Sequence, residues 1–410
     1  MSFFSSRWVD APPHVRAGHG LPLGFRAAGV ACGLKPSGKT DLGVIVSDPA
    51  ETVSAARFTR SGVLAAPVLL CQQRCRLSGL RVIVANSGCA NAATGRRGLD
   101  AAAKVQGAGA MATGVHESAV AVASTGGISH ELPVDRVLAG LLAARAQLRP
   151  DGDEELAEAI CTTDLFPKRV SLEVELPSGS VHLSAQAKGA GMISPAFATM
   201  FCFIQTDAAL AVETADLLLG VTVKRSFDRI SVDGQLSTND TAILMANGAS
   251  GIRVAPESED ELRFGEALDA VMRQLALMIV HDGEGSKRVG RVLVRGGHEL
   301  EVEGAARAIA NSPLVKAALH GGDPNWGRIS GAIGMALPGT APLSYDIDIE
   351  GVRVCSGGAA AAYDEPGLRD AVAREEVEYV IALPGEGAET EVFFSDLSHE
   401  YVTINSEYTT

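Results

Sequence analysis

The stretch Ala187–Asp207, AKGAGMISPAFATMFCFIQTD, constrains the fold of this chain more than any other. Its first part is small and flexible (Lys188, Gly189, Ala190, Gly191), and it stiffens at Pro195. From Thr199 it runs into the apolar segment Met200–Ile204, which closes on polar Gln205, Thr206 and Asp207. A glycine-rich bend feeding a buried strand places the first strand residue at a sheet edge with a constrained backbone. A threonine there has its hydroxyl close to its own backbone nitrogen and can attack the preceding carbonyl. Once the chain is cut, the freed α-amine can act as base for the same hydroxyl. Ordinary strands also open on threonine, so the pattern alone leaves both readings open.

The surrounding chain reads as layered α/β. Short apolar runs at Leu42–Val46, Val53–Phe58, Arg81–Ala85 and Ser118–Ala123 read as strands. Leu99–Ala112 and Pro133–Leu148 read as helices, the second with proline near its start. A hairpin alternates through Val170–Leu176 and Val181–Ala187 around Pro177-Ser178-Gly179. Ala208–Val223 and Glu257–Val280 continue as helices, with a strand at Thr241–Asn247 between them. The last region, through Ser344–Cys355, Pro366–Glu375 and Glu378–Ile404, reads as another α/β layer with a strand-like tail. Strands alternating with helices in this way argue α/β layering. At 410 residues the chain is long enough for two or three cores.

Charge and cysteine usage exclude several classes. A formal charge of −14, with no basic run interleaved with aromatics, leaves no footprint for nucleic acid. The 7 cysteines are odd in number and scattered, and no second Cys/His pair completes Cys71 and Cys75 as a zinc set. No metal is expected, the histidines showing no ligand spacing. No uncharged apolar run approaches the ~18 residues of a membrane helix, and the first residues lack an apolar signal core. The expectation is a cytoplasmic protein with reduced thiols. Gly33-Leu-Lys-Pro-Ser-Gly38-Lys39-Thr40 satisfies the phosphate-loop pattern, which works only where it opens a helix. Here Asp41-Leu-Gly-Val-Ile-Val reads as a strand, so a turn is the expectation.

KGAGMISPAFATM resembles the self-cleavage segment of the ornithine acetyltransferase (glutamate N-acetyltransferase) family of arginine biosynthesis. The likeness continues in GFRAAGV at Gly24, NSGCANAATG at Asn86, STGGIS at Ser124 and TTDLFPK at Thr162. It extends through SVDGQLSTNDT at Ser231, DGEG at Asp282, DPNWGRI at Asp323 and YVTINSEYTT at Tyr401, nearly the whole chain. Cys89, Cys161, Phe197 and Phe201 depart from the family pattern. The resemblance implies an architecture similar to N-terminal nucleophile hydrolases, with a smaller C-terminal α/β domain over about 285–410. It implies cleavage between Ala198 and Thr199 into chains 1–198 and 199–410 that stay associated as an α2β2 assembly.

Further implications concern chemistry. Thr199 would cut the backbone and then carry acetyl from N-acetylornithine to glutamate, with no cofactor. Thr125 and Gly126 match the family's oxyanion pair. Lys188 is the candidate cation for the substrate carboxylate, and Glu284 the candidate partner of the δ-ammonium. Thr163, Asn405 and Thr410 match further substrate contacts. Some members also take acetyl from acetyl-CoA, and the sequence does not decide between the kinds. SVDGQLSTNDT is expected to shape the site, since Asp, Ser, Thr and Asn favour local backbone bonds. Asn325, Trp326 and Arg328 are open between pocket wall and subunit contact. The rivals are a self-processing aminopeptidase or amidase and a nucleotide-binding protein using Gly33–Thr40.

Overall fold

The computed structural model describes residues 3–194, 200–339 and 341–407. Two sheets face each other at its centre. The first has six strands in the order Val15–Ala17, Lys168–Leu176, Gly179–Lys188, Phe201–Thr206, Thr241–Ala246 and Val53–Phe58. The second has four: Phe25–Val30, Leu42–Ser47, Val82–Cys89 and Val120–Gly127.

Period-two alternation decides what each face buries. Phe201, Phe203, Ile243 and Met245 point inward and meet Phe25, Ile45, Ile83 and Ala121 of the opposite sheet. Cys202, Ile204, Ala242 and Leu244 point outward into a second core beneath helices Val212–Arg225 and Glu259–His281. On the far side, Val44, Val84 and Val122 pack under helices Gly95–Thr113 and Val134–Gln147. The result is four layers, helix–sheet–sheet–helix. The apolar run after Thr199 is continuous because its strand is covered on both faces.

A smaller α/β unit follows. Its sheet runs Ile230–Ser231, Glu389–Ser395, Val289–Arg295, Glu376–Ala382, Asp346–Ile349, Val352–Ser356 and Ala359–Ala360. Helices Glu299–Asn311, Pro313–Gly321 and Trp326–Ala336 pack on it around Val302, Ile309, Ile329 and Ile381. Its outermost strand is borrowed from the four-layered body: Ile230 and Ser231 pair in parallel with Phe393 and Phe394. The two units therefore share a sheet.

One sequence reading needs adjustment. The tail is not strand-like, since His399–Glu407 is a helix. β-Branched Val402, Thr403 and Ile404 favour a strand, but the Ser398 hydroxyl accepts the Tyr401 amide at 3.2 Å and starts the helix. Gly33–Thr40 is a loop running into strand Leu42–Ser47, as expected of a turn. Buried Asp41 accepts the Leu34 amide at 2.6 Å and the Lys35 amide at 3.0 Å, and the loop opens a strand rather than the helix that a phosphate loop requires. Asn325 caps the helix Trp326–Ala336 by accepting the Arg328 amide, and Arg328 donates to Leu314 O.

Helix Asp153–Ile160, which the sequence reading passes over, is wedged against the second sheet through Leu156 and Ile160. It can approach only because Gly29 has no side chain: a Cβ there would stand 2.0 Å from Glu155 O. Gly29→Ala is expected to destabilise the protein by about 1–3 kcal/mol through overpacking, read as a lowered midpoint of thermal unfolding. An unchanged midpoint would mean that the helix is free to back away.

Candidate active site

The two parallel strands Val82–Cys89 and Val120–Gly127 end side by side, and their ends form the floor of a cavity. Gly126 has φ +127, and a Cβ on it would lie 2.5 Å from the carbonyl carbon of Gly88 on the neighbouring strand. Only glycine fits there, which leaves the backbone of the Thr125–Gly126 turn uncovered. Behind it, Asn239 Nδ2 donates to Ala90 O at 2.7 Å and Ser124 O at 2.6 Å, tying the SVDGQLSTNDT segment to both strand ends.

Lys188 closes the strand Gly179–Lys188 and is 3% exposed. Its Nζ donates to Thr125 Oγ1 at 3.2 Å, so a cation and a hydroxyl meet at the strand-end turn. The following bend is fixed by carboxylates. Asp233 accepts from Met192 N at 2.6 Å and Ile193 N at 2.9 Å. Met192 is held at φ +58, a strained backbone for a non-glycine residue. On the other side of the 195–199 segment, buried Asp240 accepts the Met200 amide at 2.9 Å. Burial holds the Asp240 carboxyl well above the usual carboxylate range, which the Met200 amide and the Lys188 charge offset only in part. The described residues on either side of 195–199 are thus each held by an aspartate from SVDGQLSTNDT.

Glu284 follows the long helix Glu259–His281 and lies over the same bend. Its amide donates to Ala190 O at 2.9 Å, and a Cβ on Gly191 would stand 2.8 Å from its carboxyl carbon. Asn405, from the tail helix, donates to Glu284 Oε2 at 2.7 Å. Tyr401 adds an apolar wall, its phenol pushed up to about 12 chiefly by burial.

Thr125, Gly126, Thr163, Lys188, Glu284 and Asn405 line one cavity of about 170 Å³. That is below the ~300–1,000 Å³ usual for drug-sized ligands, and it suits a small amino-acid derivative. Past Thr162 the cavity adjoins a wider groove of about 860 Å³, bordered by Lys35, Lys39 and His130. Ala198, Thr199 and Thr410 lie outside the described residues. Cys161 borders the groove, with burial pushing its thiol up to about 12. The Cys89 thiol is buried against His130 O. Among the described residues no group of His, Cys, Asp and Glu could hold a metal, and no helix is long and apolar enough to cross a membrane.

Sequence reasoning names the lining residues but not the group beneath them. Lys168 is completely buried, with Asp164 at 2.7 Å and Asp282 at 2.5 Å from its ammonium. Asp164 also accepts the Gly189 amide at 2.7 Å, and Asp282 accepts the Leu165 amide at 3.1 Å. A lysine opening an alternating strand carries no signal of this kind: Asp164 is four residues away, but Asp282 is brought in from 114 positions further on. Burial by itself would raise the Asp164 carboxyl, but the Lys168 and Lys188 charges outweigh it and hold it below the usual range.

The fold and site together define a layered α/β protein with a small polar pocket beside the buried strand Phe201–Thr206. The family model that matches is described as the ArgJ family and covers residues 26–410. The chain is 39% identical to the arginine biosynthesis bifunctional protein ArgJ of Symbiobacterium thermophilum, over 95% of this chain and 98% of that one. It is 40% identical to the protein of the same name from Deinococcus radiodurans, over 95% and 98%. Among solved structures, ornithine acetyltransferase complexed with ornithine from Mycobacterium tuberculosis is 37% identical, with a TM-score of 0.41, covering 45% of this chain and 98% of that one. The chain belongs to the ArgJ family, and it is an enzyme of arginine biosynthesis.

The Asp164 contribution has a definite pH dependence. A carboxyl with a lowered folded-state value stabilises the fold above its unfolded value of ~3.9, and that share is lost as pH falls through the folded value. Asp164→Asn should therefore lower the unfolding midpoint fully at pH 7, by an amount equivalent to about 3 kcal/mol or more. The gap from the parent protein should shrink below about pH 4. A gap independent of pH would assign Asp164 to packing alone.

Proposed function

We propose that Thr199 is the nucleophile of a self-cleaving acetyltransferase that moves acetyl from N-acetylornithine to glutamate. The observation that carries the proposal is the convergence of Thr125, Gly126, Thr163, Lys188, Glu284 and Asn405 on one cavity, with Lys188 paired to Phe201 at the start of strand Phe201–Thr206. In the first event, Thr199 Oγ attacks the Ala198 carbonyl carbon, the amide C–N bond breaks, and an ester forms. Water hydrolyses that ester, leaving chains 1–198 and 199–410 with a free amine on Thr199. The chains stay associated, as an α2β2 assembly in the cytoplasm.

In turnover the freed amine takes the Thr199 hydroxyl proton as Oγ attacks the acetyl carbon. The Thr125 hydroxyl and Gly126 amide donate to the developing oxyanion, and each such donor is typically worth ~10²–10³ in turnover. The C–N bond to ornithine breaks, and the proton passes to the departing amine. Glutamate then attacks the threonine ester, restoring the hydroxyl. Lys188 pairs with the substrate carboxylate and Glu284 with the δ-ammonium, while Thr163, Asn405 and Thr410 complete the pocket. The wider groove past Thr162 favours a second donor longer than acetylornithine, namely acetyl-CoA.

Thr199→Ala should give one uncut, inactive chain by denatured mass, and a fully cut variant would overturn the nucleophile assignment. Glu284→Ala should leave cleavage intact and reduce kcat/KM for acetylornithine at least about tenfold, the loss expected of one charge-assisted contact. If cleavage stops as well, Glu284 acts on the fold. Acetylglutamate formed only when glutamate is supplied separates transfer from an amidase, which would release acetate alone.

A further inference from the structure

A second polar cavity, of about 300 Å³, opens at the seam where the smaller unit joins the four-layered body. It shares no lining residue with the site around Thr125 and Lys188. From the body come Arg60, just past strand Val53–Phe58, Lys224 in the last turn of helix Val212–Arg225, and Arg229 in the short turn Phe227–Arg229. From the smaller unit come Arg307 on helix Glu299–Asn311 and Thr390 on strand Glu389–Ser395.

Charge runs opposite to that of the chain. The protein carries 35 Lys and Arg against 49 Asp and Glu, yet this cavity gathers four cations against Asp228 and Glu303. The two carboxylates do not neutralise the four. Asp228 lies 3.2 Å from Arg60, and Glu303 stands 3.8 Å from Arg307, a long contact. Arg229 uses Nε for the Lys224 carbonyl and keeps its terminal nitrogens uncommitted among the described residues. The Lys224 ammonium has no partner among the described residues.

The floor adds an independent observation. Thr390 is 5% exposed, its Oγ1 is fully buried, and no described residue bonds to it. A buried hydroxyl left unsatisfied costs about 1–3 kcal/mol, so native structures almost always pair it. A hydroxyl beside two cations without carboxylate partners, Lys224 and Arg229, is matched by a ligand that offers several acceptor oxygens and two negative charges. Guanidinium and ammonium groups converging from separate segments are the usual means of holding such an oxyanion.

We propose that this cavity is a binding site for a small dianionic oxyanion of the phosphate class, held by Lys224, Arg229 and Arg307 with Thr390 donating from below. Because its contacts come from both units, the ligand bridges them, and binding to the folded state alone raises stability by mass action. The site is independent of acetyl transfer.

The test uses full-length protein prepared in phosphate-free buffer and titrated with inorganic phosphate at constant ionic strength. Calorimetry should show one saturable site per chain, and the unfolding midpoint should rise along the same curve. Lys224→Ala and Arg229→Ala should each weaken affinity about tenfold or more, the loss of one charge-assisted contact. Thr390→Val, nearly identical in shape, should bind phosphate more weakly yet melt higher than the parent in phosphate-free buffer, because it removes an unpaired polar atom. A phosphomonoester binding tighter than phosphate would identify the ligand as a phosphorylated metabolite, and the reverse order as inorganic phosphate; both support the site. The proposal is overturned if phosphate gives no saturable heat and no more midpoint shift than chloride. It is also overturned if Lys224→Ala and Arg229→Ala, or Thr390→Val, keep the parent affinity.

Discussion

Lys168 carries its ammonium into the interior between Asp164 and Asp282, and the layout of the candidate site follows from that arrangement. Asp164 stands next to Thr163 and accepts the amide of Gly189, the neighbour of Lys188. Asp282 comes two residues before Glu284. Each of these three lining residues therefore sits within two positions of a group tied to one buried charge. A buried ion pair is weak evidence for stability, since desolvation offsets much of its attraction. Its use here is geometric: three segments distant in sequence are held in register beneath one cavity.

Around this anchor the backbone approaches as closely as it can. Gly126 against Gly88 and Gly191 against Glu284 are contacts that a single Cβ would open. The bend before Thr199 is held in a strained conformation at Met192 by two hydrogen bonds to Asp233, and the chain after it is caught by Asp240.

Much of this was legible beforehand, for identifiable reasons. Strand Phe201–Thr206, the hairpin around Pro177 and the helices Val134–Gln147 and Glu259–His281 declare themselves through local periodicity. The expectation that SVDGQLSTNDT shapes the site follows from residue chemistry, and Asp233, Asn239 and Asp240 act there on backbone amides and carbonyls. Short helix Asp153–Ile160 carries too few turns to display a period. The tail misled because propensity is a weak prior: a serine cap and docking of Asn405 on Glu284 outweigh three β-branched residues. Gly33–Thr40 kept the letters of a phosphate loop, but it leads into strand Leu42–Ser47 instead of a helix, and Asp41 takes the Leu34 and Lys35 amides.

The sequence by itself determined the α/β class, the strand Phe201–Thr206 and six of the residues that wall the cavity: Thr125, Gly126, Thr163, Lys188, Glu284 and Asn405. Those depend on local pattern and on segments whose wording is specific. Tertiary structure alone decided that Lys188 meets Thr125, that Asn405 meets Glu284 across 121 positions, and that a lysine at the start of an ordinary hairpin strand is neutralised by two aspartates. It also decided that four cations and an unpaired threonine hydroxyl face one another at the seam. The reason is physical: a side chain's charge and shape are written at its own position, but its burial and its partners are set by segments that only folding brings together.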